Sequence, residues 1–207
     1  MFSDEEGKLA VRIARDVVDR HVRGERVVYT DYDVPERFHQ KMGAFVTLKT
    51  FPAGELRGCI GFPTPIFPLI KAIVEAARSA ATKDPRFFPV SPRELDHLVV
   101  EVSLLTPPVP LEASTPRERL EKVVIGKHGL IAERGPFTGL LLPQVPVEEG
   151  WDVKTFLEWT CMKAGLPRDA WKDPATRFYT FTAEVFRETT PRGDVVREEL
   201  GSERSCC

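Results

Sequence analysis

The pattern of apolar and polar positions begins with a helical period. Ser3 precedes Glu6 at the spacing of a capping box, and apolar residues then recur every three or four positions. This pattern predicts a helix that begins after Ser3 and ends near Gly24.

The next segments predict a hairpin, a helix and a third strand. Alternating apolar residues over Gly43–Phe51 and Glu55–Gly61 predict two strands joined by a short turn. A helical stripe over Ile66–Lys83 follows, and Asp84-Pro85 ends it because proline cannot continue the hydrogen-bond ladder. The apolar segment Leu98–Leu105 predicts the third strand.

The same order of elements recurs in the second half. His128–Arg134 and Thr138–Leu142 predict a hairpin, Val153–Ala164 an amphipathic helix, and Phe178–Arg187 a strand. The dipeptide Asp173-Pro174 follows Asp84-Pro85 at an offset of 89 residues. We interpret this order as a weak internal duplication, although coincidence stays open because α+β domains often repeat such orders.

The fold class predicted from these elements is mixed α+β. Two hairpin-helix-strand halves with flanking helices would form a mainly antiparallel sheet, or would close into one barrel-like sheet that protects its edges. A chain of 207 residues fits one domain. We place that domain at residues 1–190, with two intertwined lobes at about 1–110 and 111–190. Residues 191–207 are charged and aperiodic, so they are predicted to be a poorly ordered tail.

The composition and charge of the chain argue against several classes of function. The net charge of −2 and the pI near 6.1 give no general attraction to nucleic acid or to an anionic membrane. The absence of a long apolar run and of a signal-like start predicts a cytoplasmic location. Arginine outnumbers lysine 19 to 10 and asparagine is absent, which indicates a heat-adapted source. The cysteine spacing predicts no structural metal site.

The segment Gly54–Pro63 contains the first candidate chemistry. Strand alternation places Arg57, Cys59 and Gly61 on one face, opposite the face that carries Gly58. A guanidinium beside a thiol would favour thiolate, and bare glycine amides beside it could hold an anion. The alternative is that the glycines allow a neighbouring element to approach and that Cys59 is a small buried apolar residue.

Three further polar residues extend this candidate site. In the strand Leu98–Leu105, Glu101 and Ser103 share the face opposite the apolar one, and a carboxylate there needs a partner. His128 lies between glycines at the start of a predicted strand. Cys59, Glu101 and His128 together could supply a nucleophile, an orienting carboxylate and a base. Alternatively, Glu101 forms an ion pair with an arginine, and His128 is a turn or surface residue.

The four candidate ligand-binding residues are Arg57, Gly58, Gly61 and Ser103. For the two glycines the face predicts different roles. Gly58 shares the apolar face, which favours packing, whereas Gly61 shares the face of Arg57 and Cys59, which favours approach of a ligand.

At Leu56–Gly61 the sequence LRGCIG resembles the signature of the AMMECR-one domain family. Other segments match that family in order: GAFVTL at 43–48, DPRFFP at 84–89, EVSLL at 101–105, GKHGL at 126–130, LLPQV at 141–145 and KAGLP at 163–167. The resemblance implies a mixed α and β fold in two unequal parts, and Cys59 and His128 match positions that the family treats as a candidate site.

The resemblance also implies possible partners. Members of this family are often linked with Memo-like and radical-SAM proteins. This chain lacks a CxxxCxxC motif, so it would be the accessory member.

Two function hypotheses follow. In the first, the chain is an enzyme for a small anionic or acyl substrate, with Cys59 as nucleophile, Arg57 lowering the thiol pKa, His128 as base and Glu101 orienting it. In the second, Arg57 and the glycine amides bind an anionic ligand or a partner protein without turnover. The sequence assigns no cofactor to either.

Overall fold

The computed structural model describes residues 1–198. The α-helices are α1 (Asp4–Val22), α2 (Leu69–Thr82), α3 (Pro116–Lys122), α4 (Gln144–Glu148) and α5 (Val153–Lys163). The strands are β1 (Gly43–Thr50), β2 (Leu56–Phe62), β3 (Leu98–Leu105), β4 (Val109–Pro110), β5 (Gly129–Arg134), β6 (Phe137–Leu141), β7 (Arg177–Phe181), β8 (Ala183–Glu188) and β9 (Val195–Glu198). Short 3-10 turns lie at Tyr29–Asp31, Glu36–His39, Leu95–His97 and Arg168–Lys172.

The strands form two sheets, which confirms the α+β class. One sheet has the order β2-β1-β3-β8-β9, and the other has the order β4-β7-β5-β6. Among residues 1–198 these sheets are separate and open, so the barrel-like alternative is not observed. The chain divides into a first unit, residues 1–105 and 184–198, and a second unit, residues 106–183.

The two units repeat one arrangement of hairpin, helix and strand. In the first unit β1 pairs antiparallel with both β2 and β3, and α2 packs on β1 and β2. In the second unit β5 pairs antiparallel with both β6 and β7, and α5 packs on β5 and β6. The two halves predicted from the sequence are therefore present.

Two predicted boundaries differ from the structure. The predicted strand Phe178–Arg187 is divided at Thr182 into β7 and β8, which belong to different sheets. At this point Thr182 exchanges backbone and side-chain hydrogen bonds with Thr106, so it does not continue either ladder. Within the segment predicted to be poorly ordered, Val195–Glu198 form β9 and pair with β8, and residues 199–207 lie outside the described part of the chain.

Each unit has its own apolar core. In the first unit the apolar faces of α1 and α2 pack on the sheet, and the predicted capping box between Ser3 and Glu6 begins α1. A buried ion pair between Arg15 of α1 and Glu188 of β8, with Nε to Oε1 at 2.9 Å, reinforces this packing. In the second unit α5 packs its buried face on β5 and β6. No helix within residues 1–198 is long and apolar enough to cross a membrane.

Candidate functional site

The signature strand β2 lies at one end of its sheet and is covered by α2 on one face. A Cβ atom added to Gly58 would overlap the carbonyl oxygen of Ala80 in α2. Glycine is therefore required here because strand and helix backbones approach closely, as the apolar face predicted.

Gly61 is explained by a different contact. A Cβ atom at this position would overlap the ring of Phe45, which lies opposite Gly61 in the register of β1 and β2, and the carbonyl oxygen of Ala44. Packing contacts therefore explain the absence of a side chain at both glycines, and the approach of a ligand at Gly61 stays a prediction.

On the opposite face of the sheet, Cys59, Thr47 and Glu101 form one cross-strand row. Thr47 lies opposite Cys59 in β2 and opposite Glu101 in β3. The Thr47 hydroxyl donates to Cys59 Sγ at 3.3 Å, and Lys49 Nζ lies 2.8 Å from Glu101 Oε2. Glu101 thus has the partner that its burial requires, and that partner is a lysine of β1.

Burial raises the pKa of the Cys59 thiol. The hydrogen bond from Thr47 and the charge of Arg86 lower this pKa in part, whereas Glu101 raises it further. The sequence predicted the opposite direction, because it placed Arg57 beside the thiol.

Arg57 is engaged elsewhere. Its Nε donates to Glu94 Oε1 at 2.8 Å, and its guanidinium lies 5.8 Å from the centre of the Phe87 ring. Glu94 compensates the charge of Arg57 through its Nε donor, and binding of an anion by the rest of the guanidinium stays a prediction.

Ser103 lies on the same face as Glu101 and opposite Phe45. It is 1% exposed, and its hydroxyl has no hydrogen-bond partner among the described residues. A buried hydroxyl of this kind is uncommon, and this one lies beside the row that contains Cys59.

His128 belongs to the second unit, just before β5. Its Nδ1 accepts a hydrogen bond from the Val124 amide at 3.2 Å, so a neutral ring carries its proton on Nε2. Burial, with a smaller effect of Lys127, lowers the pKa of His128. In this arrangement His128 can donate through Nε2 but has no free lone pair to act as a base. Its convergence with Cys59 and Glu101 stays a prediction.

A site residue that the sequence interpretation missed is Asp84. Its carboxylate is 4% exposed and accepts from the Cys59 amide at 2.8 Å, on the side of β2 that faces away from β1. The same carboxylate accepts from the amide, Nε and Nη2 of Arg86 at 3.1, 2.9 and 2.7 Å. These hydrogen bonds, those from the Arg86 side chain above all, hold the pKa of Asp84 well below its ordinary value.

Asp84 thereby fixes the loop of residues 84–89, which we call the interaction loop. Phe87 is half-buried, with the guanidiniums of Arg57 and Arg86 at 5.8 and 5.5 Å from its ring centre. The next residue, Phe88, is 90% exposed. The sequence contained one clue to this arrangement, the coincidence of Asp-Pro with two phenylalanines, but the contact with Cys59 depends on the fold.

The segments LRGCIG and DPRFFP are therefore in direct contact through Cys59 and Asp84. The AMMECR1 family model matches residues 11–186, which include both segments. The chain belongs to the AMMECR1 family.

Similar AMMECR1 proteins occur in archaea. A protein of Thermococcus gammatolerans is 54% identical over 202 residues, which cover 96% of this chain and 98% of that protein. Protein MJ0810 of Methanocaldococcus jannaschii is also 54% identical, over 95% of this chain and 96% of its own. The crystal structure of the uncharacterized protein PH0010 from Pyrococcus horikoshii matches with a TM-score of 0.89 at 50% identity, covering 96% of this chain and 99% of that one. These thermophilic sources agree with the heat-adapted composition.

Proposed function

We propose that this AMMECR1 protein is a non-catalytic binding module in which strand β2 holds the interaction loop in place for a partner protein. The observation that carries this proposal is the buried Asp84 carboxylate, which joins the Cys59 amide to Arg86, two residues before the exposed Phe88. Cys59 of β2 then has a structural role, because it contributes a backbone amide that binds the loop.

The electrostatics of the candidate site support binding over catalysis. Burial raises the pKa of Cys59, so the thiolate fraction at neutral pH is smaller than for a free thiol, whose pKa is about 8.5. Glu94 compensates Arg57, and Nδ1 of His128 is occupied by the Val124 amide. Three of the four roles in the catalytic hypothesis, those of Cys59, Arg57 and His128, are thus weakened.

The partners to test first are a Memo-like protein and a radical-SAM protein, because the family is linked with both. We expect isothermal titration of the purified chain with these two proteins to give saturable binding with at least one, and the Cys59→Ser variant to bind with unchanged affinity. Absence of binding to both proteins, or loss of binding in Cys59→Ser, would contradict the proposed function.

A thiol-dependent enzyme is the second candidate, and the row of Cys59, Thr47 and Glu101 is the observation that favours it. The rate of Cys59 alkylation against pH separates the two candidates. An apparent pKa above the free-thiol value supports the binding module, whereas a value well below it would favour the catalytic one.

A further inference from the structure

The interaction loop has one strongly exposed apolar group on a well-fixed backbone. Phe88 is 90% exposed, while the residues before it are held by Asp84 and by the two guanidiniums around Phe87. Because the backbone is already fixed, binding of the Phe88 ring costs little backbone conformational entropy. This is the property of an anchor residue in a protein interface.

The exposed charged residues that are close to Phe88 in sequence are all basic. Lys83, Arg86 and Arg93 are exposed, and the only acid between residues 83 and 93 is the buried Asp84. The next acid, Glu94, is bound to Arg57 and to the amide and hydroxyl of Ser91. Residues 83–93 therefore have a net charge of +2, from Lys83, Arg86 and Arg93 against Asp84, although the whole chain has a net charge of −2.

We propose that Phe88 inserts into an apolar pocket rimmed by carboxylates on a partner protein. This inference rests on the proposed function and specifies the chemistry of the partner. An apolar pocket removes the Phe88 ring from water, and a carboxylate rim complements Lys83, Arg86 and Arg93.

A second copy of this chain fits the loop poorly. Two copies of residues 83–93, each with a net charge of +2, would face each other across a two-fold axis, so like charges would oppose association. A partner of a different sequence has no such restriction.

A photo-crosslinking experiment tests the contact directly. The full chain is prepared with p-benzoylphenylalanine in place of Phe88, and a matched control has it in place of Phe137, which is 51% exposed on the second unit. Each is irradiated in an extract of the source organism, and the adducts are mapped by mass spectrometry. We expect one discrete adduct with another protein at position 88 that is absent at position 137, with Asp or Glu residues around the crosslinked site.

Two sets of variants test the chemistry of the contact. The protein identified by crosslinking is purified, and its binding to each variant is measured by calorimetry. Phe88→Ala should weaken binding about tenfold or more, and the charge reversal Lys83→Glu with Arg93→Glu should do the same at low salt. Arg86 is left unchanged because it holds Asp84. Since Phe88 and both cations are exposed, the melting temperature of each variant should equal that of the wild type.

Several results would overturn the inference. These are an adduct that is a second copy of this chain, an adduct with lipid, equal labelling at positions 88 and 137, no adduct at all, or a crosslinked site surrounded by basic residues. Binding of an identified partner that survives both sets of variants would also overturn it, while leaving the proposed function intact. Failure of the proposed function itself would appear separately, as dependence of binding on Cys59.

Discussion

The two Asp-Pro turns of this protein have the same local hydrogen bond but different tertiary contacts. Asp84 accepts from the amide of Arg86, and Asp173 accepts from the amide of Ala175, two residues on in each case. Each carboxylate also meets an arginine, Arg86 in one turn and Arg134 in the other. The Asp173 side chain, however, is 38% exposed, whereas Asp84 is buried and binds the amide of Cys59 in β2.

This comparison teaches that the same local turn has different tertiary contacts at its two positions in the chain. The turn itself is specified by the Asp-Pro dipeptide and the following amide, so it occurs in both units. The edge contact of Asp84 adds a hydrogen bond that fixes the loop and leaves Phe88 exposed. A local sequence pattern therefore predicts the turn but not the site that is built on it.

The largest expected effect concerns a feature that the two units share. In β2 a Cβ at Gly58 would overlap Ala80 of α2, and in β6 a Cβ at Gly139 would overlap Ala164, which follows α5. Because the obstacle in each case is backbone, we expect Gly58→Ala and Gly139→Ala each to lower the free energy of unfolding by the upper part of about 1–3 kcal/mol. Denaturant unfolding measures this, with the exposed Thr138→Ala as control. A lower free energy of unfolding in only one of the two variants would show that the two hairpins are not equivalent.

The next effect separates the two turns. Asp84→Ala leaves the Cys59 amide without its acceptor, so it should lower the free energy of unfolding by about 2 kcal/mol. Asp173→Ala removes an exposed turn carboxylate and should cost less than about 1 kcal/mol. Chemical denaturation of both variants tests this order. Equal losses would mean that the contact with β2 adds nothing to the turn.

At low pH the difference in unfolding free energy between wild type and Asp84→Ala should disappear. Because its pKa in the folded state is lowered, the carboxylate stabilises the fold at pH values above its ordinary pKa of about 3.9. That stabilisation is lost as pH falls through the folded-state pKa. We expect the gap in unfolding free energy between wild type and Asp84→Ala to be constant from pH 7 to 5 and to shrink below about pH 4. A gap that widens in acid would contradict the lowered pKa.

The smallest expected effect compares the thiols of the two units. Burial raises the pKa of Cys161 to about 11, and it raises the pKa of the half-buried Cys59 as well. In a Cys206→Ser, Cys207→Ser background, Cys59 should be alkylated before Cys161. Thr47→Val removes the donor to Cys59 Sγ and should raise the Cys59 pKa further. Mass spectrometry of alkylation against pH measures both, and a lower Cys59 pKa in Thr47→Val would refute the role of the hydroxyl.

The sequence predicted most of the secondary structure because local rules determine it. The capping box at Ser3, the alternation in β1 and β3, and the Asp-Pro dipeptide after α2 each act within a few residues. Strand alternation also placed Cys59 on the face opposite Gly58, and the register of β1 with both neighbours puts Thr47 between Cys59 and Glu101. The family resemblance rested on the same local segments.

Tertiary structure decided which partner each of these groups has. The division of the predicted strand at Thr182 depends on its pairing with Thr106, 76 residues away. The bond from Cys59 to Asp84, the pairing of Arg57 with Glu94 and the raised pKa of the thiol also depend on residues that lie far apart in sequence or on burial. Periodicity determines the face on which a side chain lies, but a hydrogen bond or a pKa shift depends on distances of a few ångströms, which only the packed chain sets.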